Sequence, residues 1–403
     1  MNIVVQKFGG TSLANDENRE KVVEKIIEKY NKNYNIIVVV SAIGRAGNPY
    51  ATDSLLDLVD KTFLDNREID LLLSCGETIS AVVLSNLLNK KGLKSKVFTG
   101  YQAGITTDEN FGDAGITKIE PTKLIETLNK NEIAIITGFQ GMTIDGEITT
   151  LGRGGSDISA IALGKALDCE SVEIYTDVDG VMTADPNIVP TAKVLETMCY
   201  SEVYQLAEDG AKVIHPKAVE IAQQYNVPVK IKNTFSNSSG TTIEEPNINY
   251  YNNRKELYGN KIITAITYKK GRVQVNIKTD TEDHTEKLME KVTEYNISID
   301  LINFFLDKKV FTIDKKDLTK LVKILDSEDY EYEIVEDCCK LSAIGYKMQG
   351  LPGVMARIVS ALSKENIKIL QSSDSHNTIW CLVREKDLNK AIKVLHKVFE
   401  LDK

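Results

Sequence analysis

Between residues 1 and about 235, short runs rich in Val and Ile alternate with helical stretches, which restricts this part of the chain to a mainly parallel α/β sheet. The runs are Ile3 to Val5, Ile36 to Val40, Val97 to Thr99, Ile133 to Thr137, Ile174 to Thr176 and Val229 to Ile231. Between the first two, Val22, Val23, Ile26, Ile27 and Tyr30 recur at helical spacing with Glu and Lys on the other face, the pattern of a helix packed on a sheet. Glycines at Gly9-Gly10, Gly44, Gly138, Gly141 and Gly152 to Gly155 follow or neighbour these strands, where α/β sheets place their ligand loops.

A polar, turn-rich stretch at 236–260 reads as a connecting arm, and after it the pattern changes scale. Residues 271–337 run strand (Arg272 to Ile277), helix (Thr281 to Tyr295), strand (Ile297 to Phe305), strand (Lys309 to Ile313), helix (Lys316 to Leu325), strand (Tyr330 to Val335). That order is a ferredoxin-like βαββαβ unit. Residues 339–403 repeat it with strand Lys340 to Lys347, helix Gly353 to Lys364, strands Ile367 to Ser373 and Thr378 to Arg384, and helix Leu388 to Phe399, one strand short. The unpartnered run Ile262 to Tyr268 is expected to complete this second sheet, so that the first unit is inserted into the second. The expected domains are 1–235, a linker at 236–260, 271–337, and 261–270 together with 338–403.

Charge and composition exclude several function classes. With 49 basic and 58 acidic residues the net charge is -9, the wrong sign for a protein that works on nucleic acid or anionic lipid. The longest aliphatic run, Ile36 to Val40, is far short of the ~20 residues of a spanning helix, and the chain enters a strand from Met1 without a basic leader. A cytoplasmic location with no membrane partner is expected. Cys75, Cys169, Cys199, Cys338, Cys339 and Cys381 lack a C-x-x-C spacing and read as reduced thiols. The first of four histidines is His215, which excludes a His-activated nucleophile or His-ligated metal within residues 1–214.

Lys7-Phe8-Gly9-Gly10-Thr11-Ser12 follows the first strand directly. Its glycines would let backbone N–H groups approach a polyphosphate beside Lys7, although no Gly-Lys-Ser/Thr closes it as in a P-loop, and a lone Gly-Gly can be only a turn. Gly152-Arg153-Gly154-Gly155-Ser156-Asp157 leads into a helix through Ile158, Ile161, Ala162 and Leu163, and a helix start favours an anion. Arg153 there suits bidentate capture of a carboxylate or phosphate, and is otherwise an exposed loop residue. Glu77 precedes the apolar run Ile79 to Leu88, where it can be simply a first-turn acid. Thr176-Asp177-Val178-Asp179-Gly180 and Ala184-Asp185-Pro186 are a nucleotide edge or tight loops, and His215-Pro216 reads as a turn.

The segments Val5 to Ser12, Thr149 to Asp157, Tyr175 to Val181 and Gly210 to Pro216, in this order, resemble the signature segments of the aspartate kinase family, and the tail resembles that family's paired ACT domains. The resemblance covers essentially the whole chain. It implies an α/β amino-acid kinase domain followed by two ferredoxin-like ACT domains, and transfer of the γ-phosphoryl of ATP to the side-chain carboxylate of L-aspartate, the first step toward lysine, threonine and methionine. Mg2+ would be bound mainly through ATP, with no protein ligand named. Residue by residue, Lys7 and Asp157 would be catalytic, Asp157 orienting Lys7 because a carboxylate nucleophile has no proton to lose. Lys7, Phe8, Gly9, Gly10, Ser12, Ser41, Thr176, Asp177, Met182, Asp185 and Lys212 would bind ATP. Thr52, Glu77 (for the α-ammonium), Arg153 (for the α-carboxylate), Gly154, Gly155 and Ser156 would bind aspartate.

The second unit carries the ACT-type turn Gly350-Leu351-Pro352-Gly353, whereas the first has Lys278 to Asp283 in its place. Ser298-Ile299-Asp300 matches the strand lining the effector pocket of lysine-sensitive relatives, so Asp280, Ser298, Ile299 and Asp300 are the expected effector residues. Lysine or diaminopimelate is the expected effector, with threonine as an alternative. A homodimer through the ACT domains, able to pair into a tetramer, is expected. The rival readings are another amino-acid kinase, acting on glutamate, acetylglutamate or a nucleotide, and a non-catalytic amino-acid sensor; Glu77 with Arg153 speaks against the first, and Lys7 with Asp157 against the second.

Overall fold

Apolar runs such as Ile36 to Val40 lack the alternation of a half-exposed strand because both faces of their sheet are covered, and Ile36, Ile37, Val38, Val39 and Val40 are all buried. The computed structural model describes residues 1–211, 213–245, 263–278, 282–345, 348 and 353–403. They form two compact units, one of Met1–Val181, Val194–Ala207 and Lys212–Leu257, the other of Met182–Lys193, Glu208–Ala211 and Tyr258–Lys403.

The first unit is built on an eight-stranded sheet ordered Thr197–Cys199, Thr241–Glu244, Val229–Asn233, Ser171–Thr176, Ile3–Phe8, Asn35–Val40, Ile133–Thr137, Ser95–Phe98. Ile3–Phe8 pairs in parallel with Asn35–Val40 on one side and with Ser171–Thr176 on the other. The chain winds outward from it in both directions, which makes its carboxyl end the switch point where open sheets of this kind form a crevice. Lys7 and Gly9-Gly10 stand at that end. Thr241–Glu244, inside the stretch expected to be a connecting arm, instead adds antiparallel to Val229–Ile231, and Thr241 Oγ1 accepts from the Val181 N–H. A second, four-stranded sheet (Ile116–Ile119, Ile105–Thr107, Gln140–Met142, Ile148–Thr150) was not expected, because strands of three or four residues leave almost no alternation to read.

The helix Asp16–Tyr30 has the expected buried face of Val22, Val23 and Ile26, and Asn15 caps it by accepting from the Asn18 N–H at 2.8 Å. The helix Asn66–Lys90 is long and apolar enough to cross a bilayer by length and composition. It is nevertheless a core helix, burying Leu73, Ala81, Leu84 and Leu88 together with the carboxylates of Asp70 and Glu77.

The second unit is a single six-stranded antiparallel sheet ordered Ile299–Phe304, Lys308–Asp314, Ile263–Lys278, Tyr332–Gly345, Thr378–Arg384, Gln371–Asp374. Two long strands, Ile263–Lys278 and Tyr332–Gly345, pass through both ferredoxin-like halves, with register shifts between Lys269 and Arg272 and between Arg272 and Gln274 where one half gives way to the other. Ile263–Lys269 therefore pairs with Lys340–Gly345, and Gln274–Ile277 with Tyr332–Val335. One core gathers Val273, Val275, Leu288, Phe311 and Leu321, the other Ile266, Leu341, Leu362, Ile392 and Leu395. Ala184 and Val189, from the excursion Met182–Lys193, belong to the latter core.

Candidate functional site

A cleft of about 490 Å³ in the first unit is lined by Lys7, Ser41, Thr52, Asp70, Glu77 and the whole of Gly152 to Asp157, with Leu56, Lys61, Ile69, Leu73 and Phe139 among its other walls. Lys7 comes from the switch-point strand, Ser41 from the loop after Asn35–Val40, and Thr52 from the start of the helix Thr52–Leu56. Segments far apart in sequence thus meet in one place, because parallel strands deliver all their carboxyl ends to the same edge.

Lys7 Nζ lies 2.7 Å from Asp157 Oδ1, and the two side chains are only 13% and 11% exposed. Asp157 sits in the first turn of the helix Gly155–Ala166. Gly154 precedes that helix with φ of +74°, and a Cβ there would lie 2.3 Å from His215 Cβ, so the loop needs glycine both for its left-handed backbone and for the close approach of His215. His215 itself starts the helix Pro216–Tyr225, the structural role read from the sequence.

Glu77 is not a first-turn residue. It lies in the middle of the helix Asn66–Lys90, 2% exposed. Oε1 accepts from the Ala42 N–H at 2.9 Å, while Oε2 is buried with no hydrogen-bond partner among the described residues. Burial pushes its carboxyl up from the ordinary value near 4.5 to about 8, the Ala42 N–H only partly opposing the shift. A buried carboxylate left half-satisfied inside a cleft fits a cationic group of a ligand. Arg153 stands exposed at the same cleft, with Lys61.

Asp70, which the sequence reading did not single out, contrasts with Glu77. It accepts from the Gly112 N–H (2.9 Å), the Thr150 N–H (2.8 Å) and Thr150 Oγ1 (2.6 Å), tying the long helix to a loop and to the strand Ile148–Thr150. Burial raises its pKa against those three bonds. No local signal marks it, since its partners lie far away in the chain.

The expected nucleotide residues divide. Gly10 packs so closely on the loop after Asn35–Val40 that a Cβ would meet Gly44 O at 2.2 Å and Ala42 O at 2.7 Å, so close packing demands it. Phe8 is fully buried and stacked on Tyr175 at 4.7 Å, so its ring is a core side chain. Ser12 is also buried, its hydroxyl 2.7 Å from Thr234 Oγ1 and its N–H bonded to Gly9 O, contacts that clasp the loop. Thr176 donates to Asp177 Oδ1 at 3.2 Å, and Asp177 pairs with Arg45 at 2.8 Å. Met182 and Asp185 belong to the second unit, where Asp185 accepts from Tyr268 OH at 2.9 Å and from the Asn187 N–H at 2.9 Å, contacts that hold a turn. Lys212 lies outside the described residues.

In the second unit Asp280 likewise lies outside the described residues, Ser298 is exposed and Ile299 half-buried. Asp300, expected to offer its carboxylate to an effector's ammonium, is already engaged: Oδ2 lies 3.0 Å from Lys340 Nζ and 3.3 Å from Arg272 Nη2. Lys340 also pairs with Asp209 at 2.8 Å, and Asp209 accepts from Trp380 Nε1 at 2.8 Å. These cations come from strands two and three places across the sheet, which the sequence of the Ser298 to Asp300 segment does not reveal. All six cysteines are free thiols, Cys338 and Cys339 buried among them.

Residues 2–233 match the amino acid kinase family and residues 333–397 match the ACT domain. Aspartokinase 1 of Bacillus subtilis is 43% identical over 407 residues, with both chains fully covered. The fold is shared with Escherichia coli aspartokinase III, solved in complex with aspartate and ADP (TM-score 0.78) and in complex with lysine and aspartate (TM-score 0.79); both are 23% identical, covering 98% of this chain and 99% of the other. The chain belongs to the aspartate kinases, ATP-dependent enzymes in which an amino acid kinase domain is followed by regulatory ACT domains.

Proposed function

We propose that this enzyme transfers the γ-phosphoryl group of MgATP to the side-chain carboxylate of L-aspartate, giving 4-phospho-L-aspartate and ADP, in the cytoplasm and as the first step toward lysine, threonine and methionine. The observation that carries the reading is Glu77: a buried carboxylate with an unpartnered oxygen, in the same cleft as the Lys7–Asp157 pair. It takes the α-ammonium of aspartate, and Arg153 takes the α-carboxylate through its planar fork. Thr52, Gly154, Gly155 and Ser156 complete the substrate walls.

The acceptor is already an anion. One of its oxygens attacks the γ-phosphorus while the bond to the β,γ-bridging oxygen breaks, and ADP leaves with that electron pair. No proton is removed, so the work left to the protein is positioning and charge neutralisation. Lys7, held by Asp157, neutralises charge at the triphosphate beside Gly9 and Gly10, with Ser41, Thr176 and Asp177 on the nucleotide side. Mg2+ would be held mainly by the nucleotide phosphates, where it would supply charge neutralisation, with no ligand assigned in this chain.

The ACT sheet is proposed to pair with that of a second copy, a dimer able to associate further into a tetramer, and to bind lysine or diaminopimelate as inhibitor. In support, the hairpin after Ile299–Phe304 exposes Phe304, Phe305 and Leu306 at 57%, 49% and 100%. The test is ATP-dependent hydroxamate formation with aspartate, glutamate and N-acetylglutamate as acceptors, each with and without lysine, threonine or diaminopimelate. The reading requires turnover with aspartate alone; turnover with another acceptor in its place refutes it.

A further inference from the structure

The loop after Asn35–Val40 carries a cation that no signature segment includes. Arg45 reaches across the phosphate loop: its Nε donates to Thr11 Oγ1 at 2.7 Å, and its Nη2 pairs with Asp177 Oδ2 at 2.8 Å. The backbone fixes this placement, since the Gly44 N–H donates to Gly10 O at 2.9 Å and the Arg45 N–H is held by Asn48 Oδ1 at 2.9 Å. On the other side of the same loop, Lys7 Nζ would lie 3.7 Å from a Cβ built on Gly9. Gly9, Gly10 and Thr11 are therefore bracketed by an ammonium and a guanidinium, each paired with one aspartate.

We infer that Arg45 is a second phosphate-binding cation of the nucleotide site, and that it exchanges Asp177 for the triphosphate when ATP binds. The inference rests on the nucleotide placement proposed above. The Arg45–Asp177 pair is 70% and 38% exposed, and ion pairs so open to water contribute little, so giving one up costs little. A triphosphate offers a denser charge and several acceptors to a guanidinium that stays charged at any working pH. Thr11 holds Nε and so fixes the plane of the fork, which leaves both terminal nitrogens to meet phosphate oxygens.

The test is calorimetric titration of the full chain with MgATP, MgADP and AMP for wild type, Arg45→Gln, Arg45→Lys and Lys7→Met. Arg45→Gln should weaken MgATP by roughly tenfold or more, the loss typical of one charge-assisted contact. MgADP should weaken less and AMP not at all, with the KM for aspartate unchanged. Arg45→Lys, which keeps the charge but loses the fork, should fall between, and it carries the test if the Gln variant does not fold. If Lys7→Met weakens MgATP while Arg45→Gln does not, the inference fails and the nucleotide placement stands. If neither substitution changes MgATP binding, the placement itself fails. An equal loss for MgATP and AMP would show that Arg45 only shapes the loop, and would also overturn the inference.

Discussion

The kinase cleft and the ACT sheet each bury acidic groups, but they treat them oppositely. Around the ACT sheet, the buried Asp209 meets Lys340 and Trp380 and the half-buried Asp300 meets Lys340 and Arg272, so both carboxylates have cations without a ligand, although Arg272 Nε is itself buried without a partner among the described residues. In the cleft, Lys7 and Asp157 pair, but Glu77 keeps one buried oxygen without a partner and its carboxyl is pushed up to about 8. A self-satisfied network specifies structure, whereas an unsatisfied buried group holds free energy that a complementary ligand can release. An effector acting at Asp300 would have to displace a lysine, whereas the ammonium proposed to bind at Glu77 would meet an unpartnered oxygen.

The largest expected effect breaks the closed network. Lys340→Met leaves Asp209, only 4% exposed, without its cation and should destabilise the ACT unit by about 3–5 kcal/mol in denaturant unfolding. An unchanged stability would mean that the pair is not a buried one in solution. Next, Lys7→Met and Asp157→Asn should each lower kcat by roughly 10² or more, the loss seen when one preorganised electrostatic group is removed. Steady-state kinetics of the purified variants decide this, and near wild-type turnover would take that residue out of the mechanism.

Glu77→Gln should raise the KM for aspartate on the order of tenfold to a hundredfold with ATP little changed, as expected for one charge-assisted contact. The sign of its pH effect follows from the raised carboxyl: the folded protein holds a proton that the unfolded chain has lost, so Glu77's contribution to stability is present below about 4.5 and is lost as pH rises through about 8. Thermal melts of wild type should therefore fall relative to Glu77→Gln across that window, and parallel profiles would contradict the shift. The smallest effect sharpens the other side of the comparison. Asp300→Ala should raise the inhibitory concentration of lysine or diaminopimelate about tenfold, with uninhibited kcat preserved, and dose-response curves untouched by the substitution would move the effector elsewhere.

What could be read in advance follows the same division. The cleft was legible in part: the glycine loops at Lys7 and at Gly152 to Asp157 stand out in the residues themselves, whereas Ser41, Thr52 and the ligand role of Glu77 came from the family resemblance, and all of them line the one cleft. The bonds of Asp70, the Arg45 bridge and the cations around Asp300 were not legible, because each depends on loops or strands whose pairing no local pattern encodes. The same limit hid what the side chains of Phe8 and Ser12 do, which the family resemblance places at the nucleotide and which pack on Tyr175 and clasp Thr234. It explains the fused sheet as well. Ile263–Lys278 and Tyr332–Gly345 each read as two strands, because the register shifts between them look like loop boundaries in one dimension.

The claim that Glu77 waits for the substrate's ammonium is tested most directly by counting protons. Isothermal titration of aspartate at neutral pH, repeated in buffers of different ionisation enthalpy, should show net proton release as the Glu77 carboxyl, which burial pushes up to about 8, ionises against the ammonium. The release should vanish in Glu77→Gln. Binding of aspartate with no proton released, or a release that survives the substitution, would contradict the account.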